Sequence, residues 1–367
     1  MKAKIKKLSV AALALIYGAF RLQQGRQRKR LQKTAQVGIS ETCELLLNGR
    51  PQVIHLRGKN PRHPLVLWLH GGPGMPAPSL TYRYEEILDR EFTFCYWEQA
   101  GSGASYFLSS SKPPQLSFAQ SLQDLDSLVH YLQARFKQEK IILVGHSFGS
   151  LLGALYSQQH PENLLTYIGV SQITDMIYSK YLILRMAQEE AEKRQDQKGL
   201  AHLSFVRKKV ERALITRLVK AEYYLKAEEL AGHYLTSLTL WNKACTTWHF
   251  LTSPQLDWTN WAWLAFLVMH SKQFVKMQGP LMEEAHRLAL KTPATYDIPV
   301  YFISSLGDWN APYQQVQAYL EDIEAPYYQF TLLPGRSHSP FLDEPHFFAA
   351  FFRAWHQKLN TLGLLSK

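Results

Sequence analysis

Six short apolar runs punctuate the chain: Leu65-Val-Leu-Trp-Leu, Phe92-Thr-Phe-Cys-Tyr-Trp, Ile141-Ile-Leu-Val, Tyr167-Ile-Gly-Val, Val300-Tyr-Phe-Ile and Tyr328-Gln-Phe-Thr-Leu-Leu. They are continuous rather than alternating, as strands covered on both faces are. Helical patterns follow them, and strand followed by helix, repeated, predicts an α/β fold: a mostly parallel sheet with helices on both sides. Ser117-Phe-Ala-Gln120 reads as a capping box, and the helix it opens carries Leu122, Leu125, Leu128, Val129 and Leu132 on one face. Ahead of these elements, Asn48-Gly49 sits between two short apolar segments and predicts a tight hairpin. From Ile173 to Tyr296 the alternation stops and helical periodicity rich in Glu, Lys, Ala, Leu and Arg takes over. The pattern thus divides the chain into a basic leader (1–36), an α/β core in two parts (37–172 and 297–367) and an inserted helical cap (173–296). Five of the nine tryptophans (Trp241, Trp248, Trp258, Trp261, Trp263) fall in that cap, either to fill a small helical core or to form an apolar lid over a pocket.

Composition changes the picture mainly at the N-terminus. The 367 residues carry a formal charge of +11, yet ten of the basic side chains and no acidic one lie in residues 1–33. The remainder holds 31 basic against 30 acidic groups, which excludes a generally basic nucleic-acid-binding body. Within the leader, Leu8 to Phe20 is uncharged and mostly apolar, short of the roughly twenty residues that span a bilayer. Cleavage after Ala12-Leu-Ala14 would cut this segment in half, so an uncleaved anchor or interfacial helix is favoured over a signal peptide. Arg26-Gln-Arg-Lys-Arg30 suits anionic headgroups, and the expectation is membrane-surface association through the leader, with export or a cytoplasmic location as alternatives. Three well-separated cysteines (Cys43, Cys95, Cys245) match neither a disulfide framework nor a zinc pattern. No metal or cofactor is expected.

The candidate chemistry starts at Gly145-His-Ser-Phe-Gly149, a G-x-S-x-G run directly after an apolar strand and directly before a helical pattern. Gly145 and Gly149 leave room for a turn too tight for side chains beside the serine. A serine hydroxyl needs a base, and the base an orienting carboxylate, in the chain order Ser, acid, His. Asp308 and His338 each follow a later strand, which makes Ser147, Asp308 and His338 the candidate triad, with Asp175 as reserve acid. The oxyanion of an acyl-transfer intermediate needs N–H donors. Phe148, after the nucleophile, is one candidate. The other falls in His70-Gly71-Gly72-Pro73-Gly74, after the first long strand, with Gly72 preferred and Gly71 as its neighbour.

Together these residues resemble the α/β-hydrolase superfamily, and within it the proline iminopeptidase-like branch, whose distinguishing motif is the His-Gly-Gly-Pro-Gly run at His70–Gly74. The resemblance covers roughly residues 40–360 and includes Trp97-Glu-Gln-Ala-Gly-Ser-Gly-Ala-Ser105, the Ser147 turn, Gly307-Asp308 and Ser337-His338-Ser-Pro340. It implies a metal-independent serine hydrolase that removes an N-terminal residue, often proline, from a short peptide. The chain departs from that branch at Glu98 and Ala100, where the branch carries Asp and Arg, and at His146, where its peptidases carry Gly. A carboxylesterase or lipase-like hydrolase of apolar acyl esters is the alternative, and a non-catalytic hydrolase-fold protein that binds a ligand or partner the minor one; the expected substrate is a small molecule or short peptide. For the leader, deleting residues 1–33 should release the protein from the membrane fraction into the soluble fraction on sedimentation; retention of the truncated chain with membranes would place the anchor in the body.

Overall fold

The computed structural model describes residues 38–109, 115–218, 221–235, 253, 258–290, 293–335 and 337–364, with four isolated positions before them. The leader therefore lies almost wholly outside the described residues, as do Trp241, Trp248 and Cys245. Among the described residues no helix is long and apolar enough to cross a membrane.

The chain opens with the hairpin β1 (Ile39–Leu47) and β2 (Arg50–Gly58), where Leu47 pairs with Arg50. Asn48 and Gly49 take the positive φ angles, 48° and 78°, that this turn requires. Then come β3 (Leu65–Leu69), α1 (Pro78–Leu88), β4 (Thr93–Glu98), α2 (Gly103–Leu108), α3 (Phe118–Phe136), β5 (Ile141–His146), α4 (Phe148–Gln159) and β6 (Leu164–Val170). Ser117 caps α3 by accepting from the Gln120 N–H at 3.1 Å, and Leu125, Leu128, Val129 and Leu132 are buried along one face. The inserted region is helical: α5 (Met176–Lys193), α6 (Gln197–Thr216), α7 (Ala221–Leu235), α8 (Trp258–Met269) and α9 (Ser271–Arg287). The core resumes with β7 (Ala294–Thr295), β8 (Val300–Ser305), α10 (Gln314–Leu320), β9 (Ile323–Glu324), β10 (Tyr328–Leu333), α11 (Pro340–Asp343) and α12 (Pro345–Thr361).

Eight strands form one sheet in the order β1-β2-β4-β3-β5-β6-β8-β10. The pairs β1–β2 and β2–β4 are antiparallel and the rest are parallel, so the expected α/β architecture, a mostly parallel sheet with helices on both faces, is the one observed. The six predicted strands are β3, β4, β5, β6, β8 and β10. The pairing of β7 with β9 was not foreseen, because two-residue strands carry no periodic pattern.

Burial on both faces explains the continuous apolar runs. On one side, Leu67, Leu69, Leu143, Tyr167 and Phe302 pack against α3 and α4; on the other, Trp68, Phe94, Val144, Ile168 and Tyr301 meet Phe341, Phe348, Phe352 and Trp355. Alternate residues of one strand thus serve two cores. The helices α5 to α7 form a third apolar cluster of their own around Ile183, Leu184, Leu203, Val210 and Ala231. Of the three cap tryptophans described, only Trp263 is buried; Trp258 is 85% exposed. Packing thus accounts for one of the three, and Trp258 lies largely in solvent.

Candidate active site

The strand β5 ends at His146 and α4 begins at Phe148, so Ser147 alone makes the turn between them. Its backbone is held at φ 53°, ψ −122°, a strained conformation for a residue with a side chain. Three contacts hold it there: Ser147 N–H donates to Val170 O on β6 at 3.0 Å, Ser150 N–H to Ser147 O at 2.8 Å, and Ser150 Oγ to the same carbonyl at 2.5 Å. A Cβ at Gly145 would lie 2.6 Å from Gly149 O, and one at Gly149 would lie 2.5 Å from Leu69 O. Both neighbours are backbone atoms that cannot yield, which is the physical reason for glycine on either side of the serine.

The structure brings Ser147, His338 and Asp308 together from three strand ends. Ser147 Oγ lies 2.7 Å from His338 Nε2, and His338 Nδ1 lies 2.9 and 3.0 Å from the two Asp308 carboxylate oxygens. Since a carboxylate accepts, Nδ1 carries the proton and Nε2 is free to accept from the serine hydroxyl. Asp308 Oδ1 is also held by the Asn310 and Ala311 N–H groups, each at 3.0 Å. Gly307 N–H donates to Gly335 O at 3.1 Å, tying the loop that carries the acid to the loop that carries the histidine. Asp308 is 2% exposed and Ser147 8%. Asp175, the reserve acid, does not join them. It caps α5 by accepting from the Ile177 and Tyr178 N–H groups and is clamped in two places by Arg217, at 2.6 and 3.2 Å. A capping aspartate and a catalytic one look alike in sequence when both follow a strand.

The His70–Gly74 run lies directly against this turn. A Cβ on Gly71 would sit 2.9 Å from Ser147 Cβ and 3.2 Å from His146 Nδ1. The Gly71 carbonyl accepts from His70 Nδ1 at 2.9 Å and from the Met75 N–H at 3.2 Å. In the planar trans peptide that follows, the Gly72 N–H is turned the opposite way, away from both partners. Gly72 is exposed, while His70, Gly71, Pro73 and Gly74 are buried. Phe148 opens α4, so its N–H is among those left without a partner inside the helix. Because His70 donates through Nδ1, its Nε2 accepts, taking the Gln99 N–H at 3.2 Å. Burial lowers the His70 pKa, which keeps the ring neutral in this role.

Sequence reasoning did not foresee what fastens this loop to the cap. Trp263 Nε1 donates to Gly74 O at 3.0 Å, and Gln278 Nε2 donates to Gly101 O at 3.1 Å. Nor did it foresee the buried Glu98, whose Oε1 lies 2.8 Å from His55 Nε2 and whose Oε2 accepts from the Ala104 N–H. Tertiary pairs at such separations leave no local pattern. Among the described residues no three His, Cys, Asp or Glu side chains converge as metal ligands would.

Residues 64–345 match the family model described as the alpha/beta hydrolase fold. The chain belongs to the α/β-hydrolase fold family. Within it, the chain is 27% identical over 319 residues to a Bacillus subtilis (strain 168) protein named "Probable aminopeptidase YbaC", covering 83% of this chain and 93% of that one. Among solved α/β-hydrolase structures, the proline iminopeptidase of Mycobacterium smegmatis superposes with a TM-score of 0.57 at 16% identity, over 88% of this chain and 100% of that one. An esterase from Thermogutta terrifontis gives 0.51 at 16% identity, over 87% and 99%. At these identities the two structures establish the fold alone.

Two histidines of this α/β hydrolase beside Ser147 are held neutral: His70 by burial, and His146, whose pKa falls to about 3 through burial and the neighbouring His338. In the unfolded chain both would titrate near 6.5. Below that pH the unfolded state binds protons that the folded state refuses, so stability is full above about pH 6.5 and declines as pH falls toward 4. Urea midpoints measured from pH 7.5 down to 5 should decrease steadily; a flat or rising midpoint would contradict neutral imidazoles at both positions.

Proposed function

We propose that the protein is a serine hydrolase acting through an acyl-enzyme, with Ser147 as nucleophile, His338 as general base and acid, and Asp308 orienting the imidazole. The observation that carries this reading is the unbroken chain of short contacts from Ser147 Oγ through His338 to Asp308. Ser147 Oγ attacks the acyl carbon while its proton passes to His338 Nε2. As the tetrahedral intermediate collapses, the bond to the leaving group breaks and that group takes the proton from His338. Water then attacks the acyl-serine, giving its proton to the same nitrogen, and Ser147 recovers it as the acid product leaves. The Phe148 and Gly72 N–H groups hold the oxyanion in both halves, a role worth about 2.7–4 kcal/mol per donor where one has been removed. Support for Gly72 is that its carbonyl-side neighbour is fully engaged on the opposite edge of the peptide.

For the substrate, the leading reading is an aminopeptidase of the proline iminopeptidase-like kind acting on short peptides, supported by the His70–Gly74 motif and by the YbaC relative. A second reading, hydrolysis of apolar acyl esters, is favoured by the state of the cap acids. An aminopeptidase holds the substrate's ammonium with carboxylates. Here Glu228 is engaged by Lys180 at 2.6 Å, and Glu284 accepts from the Phe118 N–H at 2.5 Å. Glu190 pairs with Lys193 and Glu229 with Lys226, while Glu189, Glu192, Glu222 and Glu283 are exposed.

A paired assay separates the two readings. Purified protein should turn over proline arylamide if the first reading holds and medium-chain aryl esters alone if the second does. In either case Ser147→Ala should lower turnover by at least a thousandfold with the fold intact by circular dichroism. Unchanged turnover in that variant would overturn the mechanism.

A further inference from the structure

His146 occupies the variable position before the nucleophile, and its side chain reaches across to the histidine loop. Its Nε2 lies 2.8 Å from the backbone carbonyl of His338. A carbonyl can only accept, so Nε2 carries the proton and donates. The same carbonyl accepts from Ser171 Oγ at 3.0 Å. Ser171 follows β6 with φ 48°, and its N–H donates to Ile303 O at 2.8 Å, so that β8 holds it in this orientation. Two donors from the ends of adjacent strands therefore converge on one oxygen, that of the residue whose ring serves Ser147. Phe341 packs edge-on against the His146 ring at 5.0 Å and fixes its plane.

We infer that His146 is a positioning residue for His338: together with Ser171 it pins the backbone of the base, while Asp308 pins its ring. The inference rests on the assignment of Ser147 and His338 as nucleophile and base. A histidine held by its ring alone could pivot about Asp308; fixing its carbonyl removes that freedom and keeps Nε2 at hydrogen-bonding distance from Ser147. Misplacement of a catalytic group by about 1 Å can cost on the order of a hundredfold in rate. The two rings lie 5.0 Å apart, and His146 stays neutral because burial and the adjacent imidazole both oppose its protonation. It therefore adds no second positive charge beside His338 when that ring holds the serine's proton, and its Nε2–H goes on donating.

The test compares His146→Phe, which keeps a planar ring and loses the donor, with His146→Gln, which can place an amide N–H near the position of Nε2, and with Ser171→Ala. The readouts are the rate of Ser147 phosphonylation by a fluorophosphonate probe, and kcat and KM on whichever arylamide or ester the wild type hydrolyses. Expected are a ten- to hundredfold loss of labelling rate and kcat in His146→Phe with KM within about twofold, recovery to within fivefold of wild type in His146→Gln, and a loss of three- to tenfold in Ser171→Ala. If His146→Phe does not fold, the Ser171→Ala loss decides. A His146→Phe or Ser171→Ala enzyme that labels and turns over like wild type would overturn the inference. A wild type that the probe does not label at Ser147 would instead overturn the catalytic assignment on which it rests.

Discussion

The strained turn at Ser147 is the constraint on which the rest of the site depends. Holding a serine at φ 53°, ψ −122° costs on the order of 1–3 kcal/mol, and the fold must supply that from neighbouring interactions. It does so by seating the turn between strands that are already buried on both faces. The β5 strand is flanked by β3 and β6, each paired to it in parallel, and both contribute to the turn: Val170 at the end of β6 accepts the serine N–H, while Leu69 at the end of β3 crowds Gly149. The reward is geometric. A serine on a regular strand or helix would point along the element's own face, whereas this one projects from the C-terminal rim, where the loops after β3, β8 and β10 converge.

Each of those loops is fixed by contacts to its neighbours. The loop after β3 is bound internally through His70 and outward to the cap through Trp263. The loops after β8 and β10 are bound to each other at Gly307 and Gly335, and the histidine's own backbone is bound to β5 and β6 through His146 and Ser171. Neutral imidazoles recur in this scheme, at buried His70 and half-buried His146, each with its tautomer set by a carbonyl that can only accept. Burial favours the neutral form of both, so they act as fixed dipoles beside His338. Trp263 and Gln278 donate to Gly74 and Gly101, so the cap is fastened both to the loop after β3 and to the turn after β4.

Much of this was legible in the sequence, for reasons that are local. The strands were visible because a two-sided sheet needs uninterrupted apolar runs. The hairpin was visible because few dipeptides other than Asn48-Gly49 supply two positive φ angles, and α3 because its capping box and apolar face coincide. Ser147, Asp308 and His338, which the structure brings together, are marked in the sequence by chain order and by their place after strands. What could not be read depended on contacts between distant residues. Asp175 and Asp308 each follow a strand and each accept from N–H groups two and three residues on; what separates them is distant, Arg217 clamping the first and His338 meeting the second. Ser171 has no sequence feature that announces a positive φ. In the sequence His146 shows only as a departure from the expected glycine, because the carbonyl its ring reaches lies 192 residues further along the chain.

If this geometry activates Ser147, one serine among the many in the chain should react. Intact-mass analysis after exposure to a fluorophosphonate, followed by peptide mapping of the adduct, tests it most directly. A single phosphonyl group should be found, on Ser147, and none when His338 is replaced by alanine; an adduct on any other residue, or full labelling without His338, would rule out activation of Ser147 by His338.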